Sequence, residues 1–143
     1  MTEIAFHFNA PQKVSYACKL LRKAVQAGSR VAVLGDADVL ARLDEQLWTF
    51  SPLDFVAHLR APVEGVAAAQ TAVILCDDVD ASPHREVLVN LGHSAPAGFE
   101  TFARLIEVVT QDDADRHAAR QRWKRYTELG YQIVRHDLQL APE

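Results

Sequence analysis

The chain has 143 residues, 49% hydrophobic and 24% charged, enough for one domain with a proper core and ordinary for a soluble globular protein. Its net charge of −4 supplies no global field that would draw it to nucleic acid. The two cysteines, Cys18 and Cys76, lack metal-type spacing and sit inside apolar runs, so they read as buried free thiols. No signal peptide opens the chain and no apolar run is long enough to cross a membrane, so a cytoplasmic protein is expected.

Glu3–Phe8 alternates Ile4, Phe6 and Phe8 with Ala5 and His7, the period of a strand, and His7 reads as a packing residue. Gln12–Ala27 predicts a helix. Val14, Ala17, Cys18, Leu21 and Val25 form its apolar stripe, Lys13, Lys19, Arg22 and Lys23 lie towards water, and Gly28 is the stop. Arg30–Leu34 is a continuous apolar strand of the kind buried in parallel sheets. The loop GDAD follows, and Asp36 or Asp38 can cap the next helix, Val39–Trp48. Leu47–His58 is dense in aromatics, with Trp48, Phe50 and Phe55 around Pro52; composition favours packing them inward, though the stretch could also expose an aromatic to a partner. Leu59–Ala69 reads as a loop. Thr71–Cys76, Arg85–Leu91, Arg104–Thr110 and Tyr131–Arg135 read as strands, with a short helix beginning near Phe99 and Phe102. Six or seven strands interleaved with four helices predict a single α/β domain, an open sheet with helices on both faces.

Chemistry is sparse along this scaffold. The strand-to-helix loop GDAD lacks dinucleotide glycines and a Lys-Ser/Thr pair, and its two carboxylates would repel a phosphate. Asp77, Asp78 and Asp80 follow a strand end, but no nucleophile or phosphate cradle accompanies them to support a magnesium site. Ser82-Pro83-His84 is turn chemistry. The six histidines show no metal spacing, and no carboxylate pair has a tuning neighbour. Neither a catalytic centre, a metal nor a cofactor is expected.

The most informative stretch is Asp112–Tyr131, DDADRHAARQRWKRYTELGY. It predicts a helix on which Arg116, Arg120 and Lys124, spaced by four, stack in one column flanked by Arg122 and Trp123. Two alternatives stay open from the residues alone. Cations beside an aromatic suit single-stranded nucleic acid, against which stand the net negative charge and the acidic helix start. A bare basic helix is otherwise a solvated face.

Three segments carry a resemblance over nearly the whole chain: EIAFHF with YACKLLRKAVQAGSRVAVL, LDEQLWTFSPLDFVAHL, and AARQRWKRYTELGY with QIVRHDL. In order and spacing they resemble the chi subunit family of the bacterial DNA polymerase III holoenzyme. The resemblance implies an open, mostly parallel, Rossmann-like sheet that binds no nucleotide and catalyses nothing. It implies an adaptor of the clamp-loader assembly. One face would join the psi subunit or a helicase-like competitor. Another would hold the acidic, phenylalanine-ending C-terminal tail of single-stranded DNA-binding protein, so that DNA is contacted only indirectly. Carried over by position, the tail-binding residues are Arg116, Arg120, Trp123 and Lys124, and the partner-binding ones Trp48 and Phe55, extended to Phe50 and Pro52. Two positions depart from the family pattern. Trp123 stands where tyrosine is common, keeping the flat wall but losing the hydroxyl, and Ala57 replaces a proline before His58.

Overall fold

A computed structural model describes residues 2–49, 57–60 and 71–138. In chain order the elements are β1 (Glu3–Ala10), α1 (Lys13–Gln26), β2 (Val31–Leu34), α2 (Ala37–Thr49), β3 (His58–Arg60), β4 (Val73–Cys76), β5 (Val87–Asn90), β6 (Arg104–Thr110), α3 (Asp113–Glu128) and β7 (Ile133–Asp137). All seven strands form one sheet in the order β3-β4-β2-β5-β6-β1-β7, and every pairing is parallel. The expected open α/β sheet is therefore present. Several boundaries shift by one or two residues, β7 among them at Ile133–Asp137 rather than Tyr131–Arg135, and two elements differ in kind. Leu59 and Arg60, placed in a loop by their neighbours' composition, pair with Ile74 and Leu75 in the edge strand β3. The short helix near Phe99 is a single 3-10 turn, Phe99–Thr101.

Parallel strands covered on both faces must be apolar on both faces. β4 and β5 are buried at every position, and β2 at all but its last. Val31, Val33, Val73, Leu75, Val87, Val89, Ile106 and Val108 point to one side, under the stripes Val14, Ala17, Cys18 and Leu21 of α1 and Leu40, Leu43 and Leu47 of α2. Ile4, Phe6, Ala32, Cys76, Leu88, Leu105 and Val109 point to the other, where Ala119 and Tyr126 of α3 meet them. The two thiols thus lie on opposite faces of the sheet, and burial pushes both up to about 11. The helix ends follow local chemistry. Asp36 Oδ1 accepts the Val39 amide at 3.0 Å to start α2, and Gly28 and Gly130 adopt left-handed φ of 84° and 91° just past α1 and α3.

Within the α3 face sits one carboxylate, Glu107, in the middle of β6 and 0% exposed. It accepts from Tyr126 Oη at 2.6 Å and from Asn90 Nδ2 at 2.9 Å. Arg122 Nε lies 3.1 Å from Glu107 Oε1, an ion-pair contact that is not aligned as a hydrogen bond, while Arg122 Nη1 donates to the His93 carbonyl at 2.8 Å. Burial pushes the Glu107 carboxyl above its usual range, and the Arg122 charge opposes that rise. Arg122, expected to flank the basic column, is only 2% exposed and belongs to the core. Lys13, expected in water, instead reaches over the C-terminal ends of the strands to Asp115 Oδ1 at 2.8 Å and the Leu91 carbonyl at 3.2 Å. Those strand ends are where open α/β sheets usually take ligands; here an ion pair occupies part of them.

His7 sits between β1's neighbours with its Nδ1 on the Tyr16 hydroxyl and its ring 4.6 Å from that of His136. Burial, reinforced by the charges of His136, Arg104 and Lys23, lowers its pKa to about 4.

Two outcomes follow from these buried groups. Arg122→Ala leaves Glu107 without its counter-charge and is expected to cost about 3–5 kcal/mol. Tyr126→Phe, which removes one hydrogen bond to the same carboxylate, is expected to cost about 1–3 kcal/mol. Urea denaturation at neutral pH measures both, and equal stabilities would contradict the network's role. The second outcome concerns pH. The unfolded chain protonates His7 near 6.5 and the folded chain only near 4, so its contribution is fully present above 6.5 and is lost as pH falls to 4. His7→Gln should therefore flatten the fall of the melting temperature across that window.

Candidate functional site

α3 is positioned from its first turn. Asp112 caps it by accepting the Asp115 amide at 3.0 Å. Asp115 turns inward and accepts from the Thr110 amide at 2.8 Å, from the Thr110 hydroxyl at 3.0 Å and from Lys13. Burial alone would raise the Asp115 carboxyl, but the Lys13 and Thr110 hydrogen bonds outweigh it and hold it below the usual range. From there, Asp115, Ala119, Arg122 and Tyr126 repeat at helical spacing and face the sheet. That rotation leaves Arg116 and Arg120 exposed on the flank of the helix.

Arg116, Arg120 and Trp123 wall a cavity of about 440 Å³ between α3 and the β6-β1-β7 edge of the sheet. Its other walls are Phe6, Phe8, Asn9, Val109, Thr110, Ala119 and Arg135. Lys124, next in the cation column, is exposed and does not contribute to this wall. Trp123 packs one side of its indole on Phe6, with ring centres 5.1 Å apart, and its half-buried ring also borders the cavity. Phe6 continues into Tyr126 at 6.0 Å, and Tyr126 into Phe99 at 5.1 Å, so the indole rests on a chain of core aromatics. The floor is therefore apolar, the rim carries three guanidiniums, and among the described residues no carboxylate lines the cavity. Such a concavity suits an apolar group bearing negative charge. Among the described residues, no group of three His, Cys, Asp or Glu converges to hold a metal ion, and no helix is long and apolar enough to cross a membrane.

Several wall residues carry no signal in the sequence. Phe6 and Phe8 read only as strand core. Arg135 reads as the end of a strand, and nothing local says that β7 pairs with β1 so that Arg135 stands opposite Phe6. Asn9 carries a weak signal at most. It adopts φ of 65° where β1 breaks register between His7 and Ala10, and its Nδ2 donates to Asp137 Oδ1 at 2.9 Å. Asn is one of the few side chains that tolerate this backbone region.

The second candidate surface lies elsewhere. Trp48, at the end of α2, is 63% exposed rather than packed inward, and its ring meets the edge of His58 at 5.7 Å. His58 begins β3 and its Nε2 is 2.7 Å from Asp44 Oδ1. Strand order puts β3 and β7 at opposite edges of the sheet, so Trp48 and the cavity stand far apart in the architecture. Phe50, Pro52 and Phe55 lie outside the described residues.

Comparison with known proteins gives a consistent match. Residues 1–134 match the family model described as DNA polymerase III chi subunit, HolC. The chain is 31% identical over 143 residues to the DNA polymerase III subunit chi of Pseudomonas aeruginosa, covering 96% of this chain and 98% of that protein. It is 28% identical over 120 residues to the subunit chi of Haemophilus influenzae, covering 82% and 81%. It is 27% identical over 117 residues to that of Escherichia coli, covering 81% and 79%.

If the cavity rim exists for binding rather than for folding, its cations are dispensable to stability. Arg120→Ala is expected to shift unfolding free energy by less than about 0.5 kcal/mol, in contrast to Arg122→Ala two positions on. Chemical denaturation of the two variants side by side checks the separation.

Proposed function

The chain belongs to the DNA polymerase III chi subunit family, and from that premise we propose that it is a non-catalytic adaptor that binds the acidic C-terminal tail of single-stranded DNA-binding protein. The observation that carries this reading is the cavity itself: an aromatic floor of Phe6, Phe8 and Trp123 under a rim of Arg116 and Arg120, in a chain of net charge −4. The terminal aromatic of the tail would enter the floor and its carboxylates would meet the rim, with Lys124 extending the cation column for residues further from the tail's end. Exposed charge contacts contribute roughly 0–1 kcal/mol each, so the interaction is weak, reversible and salt-sensitive. That behaviour suits a tether on a moving replicase.

The opposite edge would take the second partner. Trp48, exposed at the end of α2, is the described member of the set that the family resemblance carries over with Phe50, Pro52 and Phe55, and this set would dock a psi-type subunit or a helicase-like competitor. An exposed tryptophan of this kind is a common anchor at protein interfaces.

Titration of the protein with an acidic peptide ending in Asp-Phe or Pro-Phe, against oligo-dT, decides between the peptide receptor and a direct single-stranded DNA binder. Peptide binding that is lost in Arg120→Ala, without oligonucleotide binding, is the expected result. Oligonucleotide binding without peptide binding would sink the adaptor reading. In co-purification, Trp48→Ala and Phe55→Ala are expected to release the psi-type or helicase partner while leaving peptide affinity intact.

A further inference from the structure

The helix supplies only one wall of the cavity, and the facing wall contains a cation of its own. Arg135 projects from β7 on the same face of the sheet as its register partner Phe6. Its guanidinium carbon lies 4.9 Å from the centre of the Phe8 ring and 5.9 Å from that of Trp123. Two aromatic faces therefore hold one guanidinium in place, an arrangement in which the cation is stabilised by the ring quadrupoles while its N–H groups stay available. Arg135 is exposed, and no described carboxylate forms an ion pair with it. The nearest acidic side chain on its strand face, Asp137, accepts a hydrogen bond from Asn9. Asn9 is itself a wall residue held in the left-handed backbone region at the register break of β1. Non-glycine residues held in that region cluster at ligand sites.

We propose that Arg135 is the second arm of a guanidinium clamp. The terminal carboxylate of an acidic peptide is held between Arg120 on α3 and Arg135 on β7, with the last aromatic side chain of that peptide against Phe6, Phe8 and Trp123. This assignment rests on the peptide-receptor reading of the cavity and adds to it the residue that recognises a free chain end. The charge pattern selects the occupant. Among the described residues, three arginines and no carboxylate line the cavity of a net acidic protein, which fits an anion. The volume of about 440 Å³ is near the small end of ligand pockets, which span roughly 300–1,000 Å³, and fits one aromatic residue rather than an extended strand. Two cations from different elements define a point, not a track, and so prefer a terminal carboxylate to acidic side chains spread along a chain. An arginine fork pre-oriented by stacking forfeits little freedom on binding.

The test compares two acidic peptides ending in phenylalanine, one with a free C-terminal carboxylate and one with a C-terminal amide. They are titrated by calorimetry into the full chain and into Arg135→Ala and Arg135→Lys, at fixed low salt. The unsubstituted chain should prefer the free acid. Arg135→Ala should lose about tenfold in affinity for the acid, a loss of one charge-assisted contact, and change little for the amide, so that the preference collapses. Arg135→Lys, which keeps the charge without the planar fork, should recover only part of it. Losing the exposed stacking of Arg135 predicts a melting temperature lower by only a few degrees for Arg135→Ala and less for Arg135→Lys, which separates lost recognition from lost folding. Equal weakening for acid and amide peptides, or no weakening, overturns the clamp while the receptor reading survives. Binding of neither peptide by the unsubstituted chain overturns both.

Discussion

The buried contact between Glu107 and Arg122 sets the geometry on which the rest depends. A carboxylate in the middle of a parallel strand, with no access to water, carries a desolvation cost of several kcal/mol unless charge and hydrogen bonds offset it. Here the offsetting groups come from two elements. Asn90 reaches across from β5, and Arg122 and Tyr126 come down from α3. Because the two helix residues are four apart, satisfying Glu107 fixes the rotation of α3 about its axis. With that rotation fixed, Arg116 and Arg120 have to fall on the flank beside β1 and β7, and Trp123 has to meet Phe6. Four arginines on one helix therefore divide by role according to a carboxylate three strand positions from the end of β6: Arg122 faces in, Arg116 and Arg120 line the cavity, and Arg125 is left exposed.

The division also explains how an acidic protein presents a basic site. The carboxylates nearest the start of α3 do not confront the cavity. Asp112 is engaged by the helix amide it caps, and Asp115 is turned inward onto Lys13 and Thr110. Their charge is used in holding the helix, close to its positive N-terminal end. What remains at the cavity is guanidinium over aromatic surface. The net charge of the chain opposes polyanions at long range, while the field at the cavity is locally positive. Trp48 and this cavity lie at opposite edges of the sheet, so no residue is shared between them.

Much of the fold was legible in the residues. Continuous apolar runs of four to seven residues separated by amphipathic stretches determined a parallel α/β sheet, and helix starts and stops followed from Asp36, Gly28 and Gly130. The strand β3 was not legible, because three residues beside an aromatic-rich and proline-containing stretch carry no period of their own. Around the cavity, the adjacency of Arg116, Arg120 and Trp123 was legible because helical spacing puts them on adjoining faces, whereas Lys124, the next cation of the column, lies outside the wall. Arg122 was misplaced by the same logic, since spacing gives relative directions on a helix but not which direction is in, and an arginine is rarely assigned to a core.

Local order follows from neighbours in the chain: element type, caps, the cation spacing and the family motifs all depend on residues close together in sequence. Which side of α3 is buried depends on long-range packing, because Glu107 lies fifteen positions before Arg122 and on another element. Only the tertiary structure brought Phe6, Phe8, Asn9 and Arg135 to the same cavity, since pairing of β7 with β1 joins the two ends of the chain. A column of cations on a helix becomes one wall of a cavity when a second wall faces it, and that wall is made by strand pairing, which no local pattern encodes.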